Sequence, residues 1–163
     1  ILMTIPSLAL FGILMSILYA LGLPSIGALP VIIALAMYGL LPIVRNTYTA
    51  LREVDPAIIE AGRGMGMSGR QLLARVKMPL AVPVIMAGLR QATVMNVGIA
   101  AIGSYLGAGG LGQAIFRGLG NYRKDLVLAG AISVSLLAIV LDLLMAGVER
   151  MTTPKGMRIG RKQ

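Results

Sequence analysis

The sequence has no cysteine, no histidine and no tryptophan, and only 13% of its 163 residues are charged. Without cysteine there are no disulfides and no thiolate metal sites, and without histidine the commonest general base and metal ligand is missing. Aromatic residues are also scarce, with two Phe and five Tyr. These absences leave little with which to build a catalytic or metal-binding site, so we predict a protein that is not an enzyme.

Hydrophobic residues make up 57% of the chain, and its mean hydropathy of +0.86 is far above that of soluble globular domains. The apolar runs are continuous and do not alternate with polar residues, which favours spanning helices over a β-barrel. We therefore predict an all-α membrane protein, a polytopic helical bundle surrounded by lipid.

Four apolar runs are long enough to cross a bilayer at about 1.5 Å per residue. The predicted spans cover about residues 4–23, 28–44, 80–106 and 126–148 of one transmembrane domain, 1–163. A polar loop, 45–79, separates the second and third spans, and a basic tail, 149–163, ends the sequence. Because the sequence opens inside an apolar run and without Met, we expect an N-terminal portion to be missing.

Basic residues are concentrated in two of the polar segments. The 45–79 loop has six Lys and Arg residues and the tail has five, whereas the 22–30 connection has none. The positive-inside rule therefore predicts that loop and tail are cytoplasmic and that the 22–30 and 107–125 connections are external. Orientation in the membrane explains the net charge of +9, and nucleic acid is not predicted as a partner.

The stretch from Asp55 to Pro79 predicts two short helices. Asp55 followed by Pro56 is typical of an N-cap with proline in the first turn. Ser68 with Gln71 three residues later predicts a capping box at the start of the second helix. We expect this second helix to end at Pro79, which would redirect the chain into the third span.

The sequence also predicts a packing surface on the second helix and a glycine hinge between the two helices. Leu72, Leu73 and Val76 have helical spacing and are expected to pack beneath the spans. The glycines between the helices are expected to form a hinge: Gly62, Gly64, Gly66 and Gly69.

The same stretch matches a pattern with fixed spacing. Membrane subunits of bacterial ABC importers have a cytoplasmic loop with Glu-Ala-Ala, three residues, Gly, nine residues, then Ile-x-Leu-Pro. Here Glu60-Ala61-Gly62 is followed at the same spacing by Gly66 and then by Val76-Lys77-Met78-Pro79. Gly, Val and Met replace Ala, Ile and Leu of the pattern. The chain therefore resembles an ABC importer permease.

Three other segments, 4–12, 40–56 and 107–119, are similar to permeases of the osmoprotectant branch, which imports glycine betaine, choline and carnitine. The resemblance covers nearly the whole chain. It implies a multi-pass subunit of the bacterial inner (plasma) membrane, with the type I ABC importer permease core of methionine-importer-like proteins.

The resemblance also implies partners. The 45–79 loop would form coupling helices that dock on a separate ABC ATPase subunit, which binds ATP and Mg, so that this chain itself binds no cofactor. A second permease subunit, identical or different, would complete the pathway, and an extracytoplasmic substrate-binding protein would deliver the solute. The implied coupling residues are Asp55, Glu60, Ala61, Gly62, Gly66 and Pro79. Ile58, Ile59, Met65 and Met67 would add an apolar contact surface.

Polar residues inside the apolar runs are candidate pathway residues. Arg90 and Asp142 are costly in lipid unless they are paired or hydrated. They could pair with each other or face one hydrated path, or each could snorkel or stabilise a subunit contact. Asn96 could line the pathway or hydrogen-bond between helices, and the same alternatives hold for Gln91, Ser104 and Tyr105.

Glycines recur in the external segment GAGGLG, at Gly107, Gly109, Gly110 and Gly112. A dinucleotide fingerprint would need a preceding strand in a soluble βαβ unit, which the apolar run before it does not provide. We predict an external turn instead. The GRGMGMSGR string of the central loop lacks the Gly-Lys-Ser/Thr of a P-loop.

The scattered aromatic residues bear on the cargo, because quaternary ammonium ions are usually held by several aromatic rings. We therefore expect the main recognition site to be on a separate binding protein that docks near the external connections. A permease for methionine or another amino acid is an alternative cargo assignment. An ion-gradient-driven secondary transporter or channel is an alternative of another class, although Asp142 alone would supply its intramembrane carboxylate.

Overall fold

The computed structural model describes residues 5–152, and every regular element in this range is helical. The predicted tail beyond residue 152 lies outside the described residues. The helices are α1 (Ser7–Ala20), α2 (Ala28–Arg52), α3 (Pro56–Gly64), α4 (Gly69–Leu72), α5 (Met78–Gly103), α6 (Gly112–Gly120) and α7 (Lys124–Thr152). A π-helical turn, Leu73–Lys77, joins α4 to α5, and a 3₁₀ turn, Ser104–Leu106, follows α5.

By length and composition, three helical segments in the described range could cross a membrane: Ala28–Arg52, Gly69–Leu106 and Lys124–Thr152. They confirm the all-α fold class. The helix α1, in the first predicted span, has 14 residues and is shorter than these three, so its span stays a prediction. The side chains of α7 are mostly exposed although the helix is strongly apolar, as expected of a helix that faces lipid.

The prediction that Pro79 ends a helix is wrong. Gly69–Leu106 is one helical segment of 38 residues, and its π-helical turn, Leu73–Lys77, ends two residues before Pro79 and includes Arg75, the residue four positions earlier. Proline inside a helix removes one hydrogen bond, and its ring clashes with the carbonyl four residues earlier. The π turn widens the helix where that clash would occur, so the chain can continue through the proline.

The chain forms two compact units. The first comprises the described residues up to Leu41 together with Ala92–Leu143, and the second comprises Pro42–Gln91 together with the described residues from Leu144. In the first unit, buried side chains of α1 and α2 form a core, against which Met95, Ile99 and Ile102 of α5 pack. The buried residues of this core are Leu10, Phe11, Leu14, Val31, Ala34 and Tyr38.

Glycines bring the helices of the first unit close together. A Cβ on Gly103 would lie 2.6 Å from Cγ1 of Val31, and a Cβ on Gly130 would lie 2.8 Å from the backbone nitrogen of Ile115. A Cβ on Gly112 would meet the carbonyl oxygen of Ala101. The short helix α6 is thus fitted closely against both α5 and α7, and side chains larger than hydrogen have no room at these crossings.

We expect Gly112→Ala to destabilise the protein by about 1–3 kcal/mol, because the added methyl group meets a backbone carbonyl, which cannot rotate away as a side chain can. The measurement is the thermal unfolding midpoint of the detergent-purified protein, which should fall. Gly120→Ala is the matched control, since a Cβ at that position has no neighbour within 4 Å. Equal midpoints for the two variants would contradict the packing described here.

Candidate functional site

The helix α3 begins with the predicted cap. The backbone N–H of Ala57 donates a hydrogen bond to Oδ1 of Asp55 at 2.8 Å, and Pro56 occupies the first helical position. This bond satisfies one of the N–H groups that have no partner inside the helix. The N-cap prediction is confirmed, and the side chain of Asp55 fixes where the helix starts.

The helix α4 begins with the predicted capping box. The backbone N–H of Ser68 donates to Oε1 of Gln71 at 2.8 Å, and the backbone N–H of Gln71 donates to Oγ of Ser68 at 3.4 Å. This reciprocal pair is confirmed. It holds the start of the segment that leads into α5.

The turn between α3 and α4 is a hydrogen-bonded cap around Gly66. Gly66 has a φ of +77°, in the left-handed region that favours glycine. Its N–H donates to the carbonyl of Arg63 at 2.9 Å, and the N–H of Met67 donates to the carbonyl of Gly62 at 3.1 Å. These two bonds make a Schellman motif. The glycine of the sequence pattern is therefore the residue that closes α3.

The prediction that four glycines lie between the two helices is wrong, because only Gly66 lies in the turn that separates α3 from α4. Gly62 and Gly64 lie inside α3, and Gly69 is the first residue of α4. Gly62 is buried, and a Cβ there would lie 2.7 Å from Cδ1 of Leu72. Its small size therefore serves the contact of α3 with α4.

Several of the implied coupling and contact residues are exposed on α3 or at its ends. Asp55, Glu60 and Ala61 are exposed, and so are Ile58 (42%) and Met65 (73%). Ile59 and Met67, also predicted to be on this apolar contact surface, are half-buried. The capped helix and its ends thus expose two large apolar side chains, Ile58 and Met65, and the carboxylate of Glu60.

The three apolar residues predicted to pack beneath the spans differ in their exposure. Leu72 is buried with 5% of its surface exposed, but Leu73 is 44% exposed and Val76 is half-buried. Adjacent residues of a helix lie about 100° apart, so Leu73 is exposed beside the buried Leu72, and the π-helical turn that starts at Leu73 includes Val76.

Asn96 forms a hydrogen bond between helices of the first unit. Its Nδ2 donates to the carbonyl of Leu35 in α2 at 3.1 Å, while its buried Oδ1 has no hydrogen-bond partner within residues 5–152. A Cβ on Gly39 would lie 2.8 Å from the same Nδ2. Of the two predicted roles for Asn96, these contacts favour bonding between helices.

Arg90 belongs to the second unit, where its Nη1 lies 3.6 Å from Oε2 of Glu149 on α7. Glu149 has no distinguishing signal in the sequence, where it begins the basic 149–163 segment. Asp142 belongs to the first unit, and its predicted pairing with Arg90 stays a prediction.

The glycine segment predicted to be external forms a tight turn, but Gly112, which was predicted to belong to it, is the buried first residue of α6. Gly107, Gly109 and Gly110 all have positive φ values, of +82°, +79° and +91°. The N–H of Gly27 donates to the carbonyl of Leu106 at 3.0 Å. The 22–30 segment, predicted to be external, is therefore hydrogen-bonded to the 3₁₀ turn that directly precedes the glycine turn.

Two aromatic residues that are separate in the sequence meet beside this turn. The rings of Tyr105 and Phe116 have centroids 5.1 Å apart and planes inclined by 46°. The pair is not evident in the sequence, because Tyr105 and Phe116 lie in different helical elements and meet only when these pack together. The available signal is the amphipathic pattern of residues 113–119, which lie within α6.

Apolar helices joined by an exposed, doubly capped helical loop are the arrangement of a permease subunit of an importer. The chain belongs to the family described as "Binding-protein-dependent transport system inner membrane component", whose profile matches residues 1–153. This membership favours binding-protein-dependent transport over the alternative of an ion-gradient-driven transporter or channel.

Curated relatives and solved structures agree with this family. The chain is 48% identical to the osmoprotectant import permease protein OsmW of Salmonella typhimurium, over 96% of this chain and 73% of that protein. It is 46% identical to the carnitine transport permease protein OpuCB of Listeria monocytogenes, over 99% and 72%. An inward-facing structure of the MetNI methionine ABC transporter matches with a TM-score of 0.81 and 26% identity, over 94% of this chain and 71% of that chain.

The absence of cysteine allows a direct test of the loop and its side of the membrane. We expect Met65→Cys to react quickly with a membrane-impermeant maleimide in inside-out vesicles, because that side chain is exposed, and Tyr122→Cys to react in intact cells. Leu72→Cys is the matched control and should react slowly, since it is buried. Labelling of Met65→Cys in intact cells would contradict the predicted orientation.

The contact of Arg90 with Glu149 predicts charge complementarity. Arg90→Glu alone should reduce the amount of folded subunit in the membrane, because two carboxylates would then face each other. Adding Glu149→Arg should restore much of it, as measured by detergent-resistant protein on size-exclusion chromatography. The combination of Arg90→Glu with Asp142→Arg tests the pairing predicted from sequence. If the Arg90→Glu/Glu149→Arg double variant gave no more detergent-resistant protein than Arg90→Glu alone, the contact would be contradicted.

Proposed function

We propose that this chain is the membrane-spanning subunit of a bacterial inner-membrane ABC importer for osmoprotectants such as glycine betaine, choline or carnitine. The observation that carries the proposal is its 42–48% identity to permeases named for osmoprotectant, carnitine and choline transport. The relatives come from Salmonella, Listeria and Bacillus. In this role the chain forms part of a solute pathway and performs no covalent chemistry.

The helix α3 is proposed as the contact with a separate ABC ATPase subunit. Its exposed Ile58 and Met65 supply apolar surface for that contact, and Met adapts readily to an irregular partner. Glu60 supplies a charge that a basic group of the ATPase can pair with. Because caps at Asp55, Gly66 and Ser68 fix the geometry of the loop, movement of the ATPase would move the loop as a rigid body, and the spans with it.

The other proposed partners follow from the same role. The ATPase subunit holds ATP and Mg, and this chain holds no cofactor. A second permease subunit, identical or different, completes the pathway. A substrate-binding protein docks on the external side, where Gly27 of the 22–30 segment is hydrogen-bonded to Leu106, next to the glycine turn.

Methionine is the second candidate cargo, because the MetNI methionine ABC transporter has the same fold with a TM-score of 0.81. Its sequence identity of 26% is far below the 48% found with OsmW. Cargo specificity depends on side chains, while the fold depends mainly on the pattern of helices. The higher identity therefore favours osmoprotectants.

Uptake by the reconstituted importer tests both the class and the cargo. ATP-dependent uptake of labelled glycine betaine is expected for the wild type. Glu60→Lys should reduce it strongly with the subunit still in the membrane, because the variant reverses a charge at the proposed ATPase contact. Glu53→Lys is the matched control, an exposed carboxylate outside α3.

Substitutions at Gly66 test, in the same uptake assay, whether the backbone conformation of the loop matters apart from the charge at the proposed ATPase contact. Gly66→Val should reduce uptake, because a β-branched residue is strained at a φ of +77°. Gly66→Asn should retain most uptake, since Asn tolerates the left-handed conformation. Normal uptake by Glu60→Lys and by Gly66→Val would overturn the proposed coupling role, and uptake of methionine in place of glycine betaine would overturn the cargo.

A further inference from the structure

A cleft lies beside the external turn, within the first unit. It has a volume of about 410 Å³, within the range of roughly 300–1,000 Å³ that is typical of small-molecule sites. It is lined by the 3₁₀ turn after α5 and by α6, through Ser104, Tyr105, Gln113, Phe116, Arg117, Gly120 and Asn121.

The lining of this cleft is held on a rigid frame. Gln113, Phe116, Arg117 and Gly120 have helical spacing and share one side of α6. Elsewhere on α6, Gly112 and Gly118 are buried, and a Cβ on Gly118 would lie 2.7 Å from the backbone nitrogen of Val127. Close packing against α5 and α7 therefore fixes α6 while leaving its cleft side accessible.

One part of the cleft can attract a cation. Tyr105 and Phe116 place their rings together at a centroid distance of 5.1 Å, and Tyr105 is 66% exposed. Phe11 and Tyr38, by contrast, are buried in the core of this unit. An aromatic ring face attracts a quaternary ammonium group, and two adjacent rings also offer apolar surface to its methyl groups.

Another part of the cleft can attract an anion. Arg117 lies one residue after Phe116, and its Nη2 donates to Oε1 of Gln113 at 3.4 Å. The Nδ2 of Asn121 donates to the backbone carbonyl of Arg117 at 2.7 Å. The guanidinium has five N–H donors, so a bond to Gln113 leaves donors that can bind a carboxylate.

We propose that this cleft is a weak staging site for zwitterionic quaternary amines on their way into the pathway. The carboxylate binds Arg117, and the methylated ammonium lies against the Tyr105 and Phe116 rings. The proposal rests on the proposed function, and it deepens that function by assigning a specificity residue. Choline carries the ammonium without the carboxylate, so Arg117 favours glycine betaine and carnitine over choline, whereas the rings serve all three.

The test is ligand binding to the purified complex of permease and ATPase without its binding protein, by saturation-transfer NMR titration with glycine betaine and with choline. Arg117→Gln should weaken glycine betaine binding about fivefold to tenfold and leave choline binding unchanged. Tyr105→Ala should weaken both ligands, and Tyr105→Phe should weaken neither, because it keeps the ring. Arg123→Gln is the matched control, since Arg123 is outside the cleft and pairs with Asp125.

Several outcomes would overturn the site. One is absence of ligand signal for the wild type, and another is an equal effect of Arg117→Gln on both ligands. If Arg117→Gln lowers uptake of both solutes without changing either NMR titration, the cleft is a docking contact for the binding protein and not a ligand site. Failure of the proposed function is distinct: the wild-type importer would then take up no quaternary amine with ATP, whatever the NMR result.

Discussion

Close approach of helices at glycine is the constraint on which the packing of this protein depends. In lipid, apolar side chains gain little by meeting one another, so helices associate through dispersion contacts and hydrogen bonds that need short distances. In the first unit, Gly103 leaves room for the side chain of Val31, and Gly112 leaves room for the carbonyl group of Ala101. In the second unit, a Cβ on Gly88 would lie 2.7 Å from Cβ of Asn46. Hydrophobicity places the helices in the membrane. The glycines, which have no side chain, determine where two helices can pack closely.

The polar loop achieves rigidity by different means, because water competes for its backbone groups. Asp55, Ser68 with Gln71, and the bonds around Gly66 satisfy the ends of α3 and α4 locally. The buried contact between Gly62 and Leu72 then holds the two helices together. A segment with fixed ends and a fixed internal contact can pass on a displacement, whereas a flexible hinge would absorb it. This is why replacing the expected hinge by a Schellman cap strengthens the proposed coupling role.

Much of the candidate site was predictable from local sequence, and the misses have physical causes. Caps depend on residues within three or four positions, so Asp55 and Ser68 were assigned correctly. Pro79 is predicted to end a helix because, in a regular α-helix, its ring clashes with the carbonyl four residues earlier. The π-helical turn before it removes this clash. Glu149 was grouped with basic neighbours in the tail, but its partner Arg90 lies far away in the sequence.

The sequence by itself determined the membrane character, the helical class, the caps of the loop and, through the spacing from Glu60 to Pro79, the family. Each of these depends on composition or on neighbours along the chain. Only the tertiary structure decided which glycines turn the chain and which admit another helix, which carboxylate faces Arg90, and that Tyr105 meets Phe116. These features depend on contacts between helices that are far apart in the sequence. Such contacts are determined by the shapes of the packed helices and cannot be inferred from neighbouring residues alone.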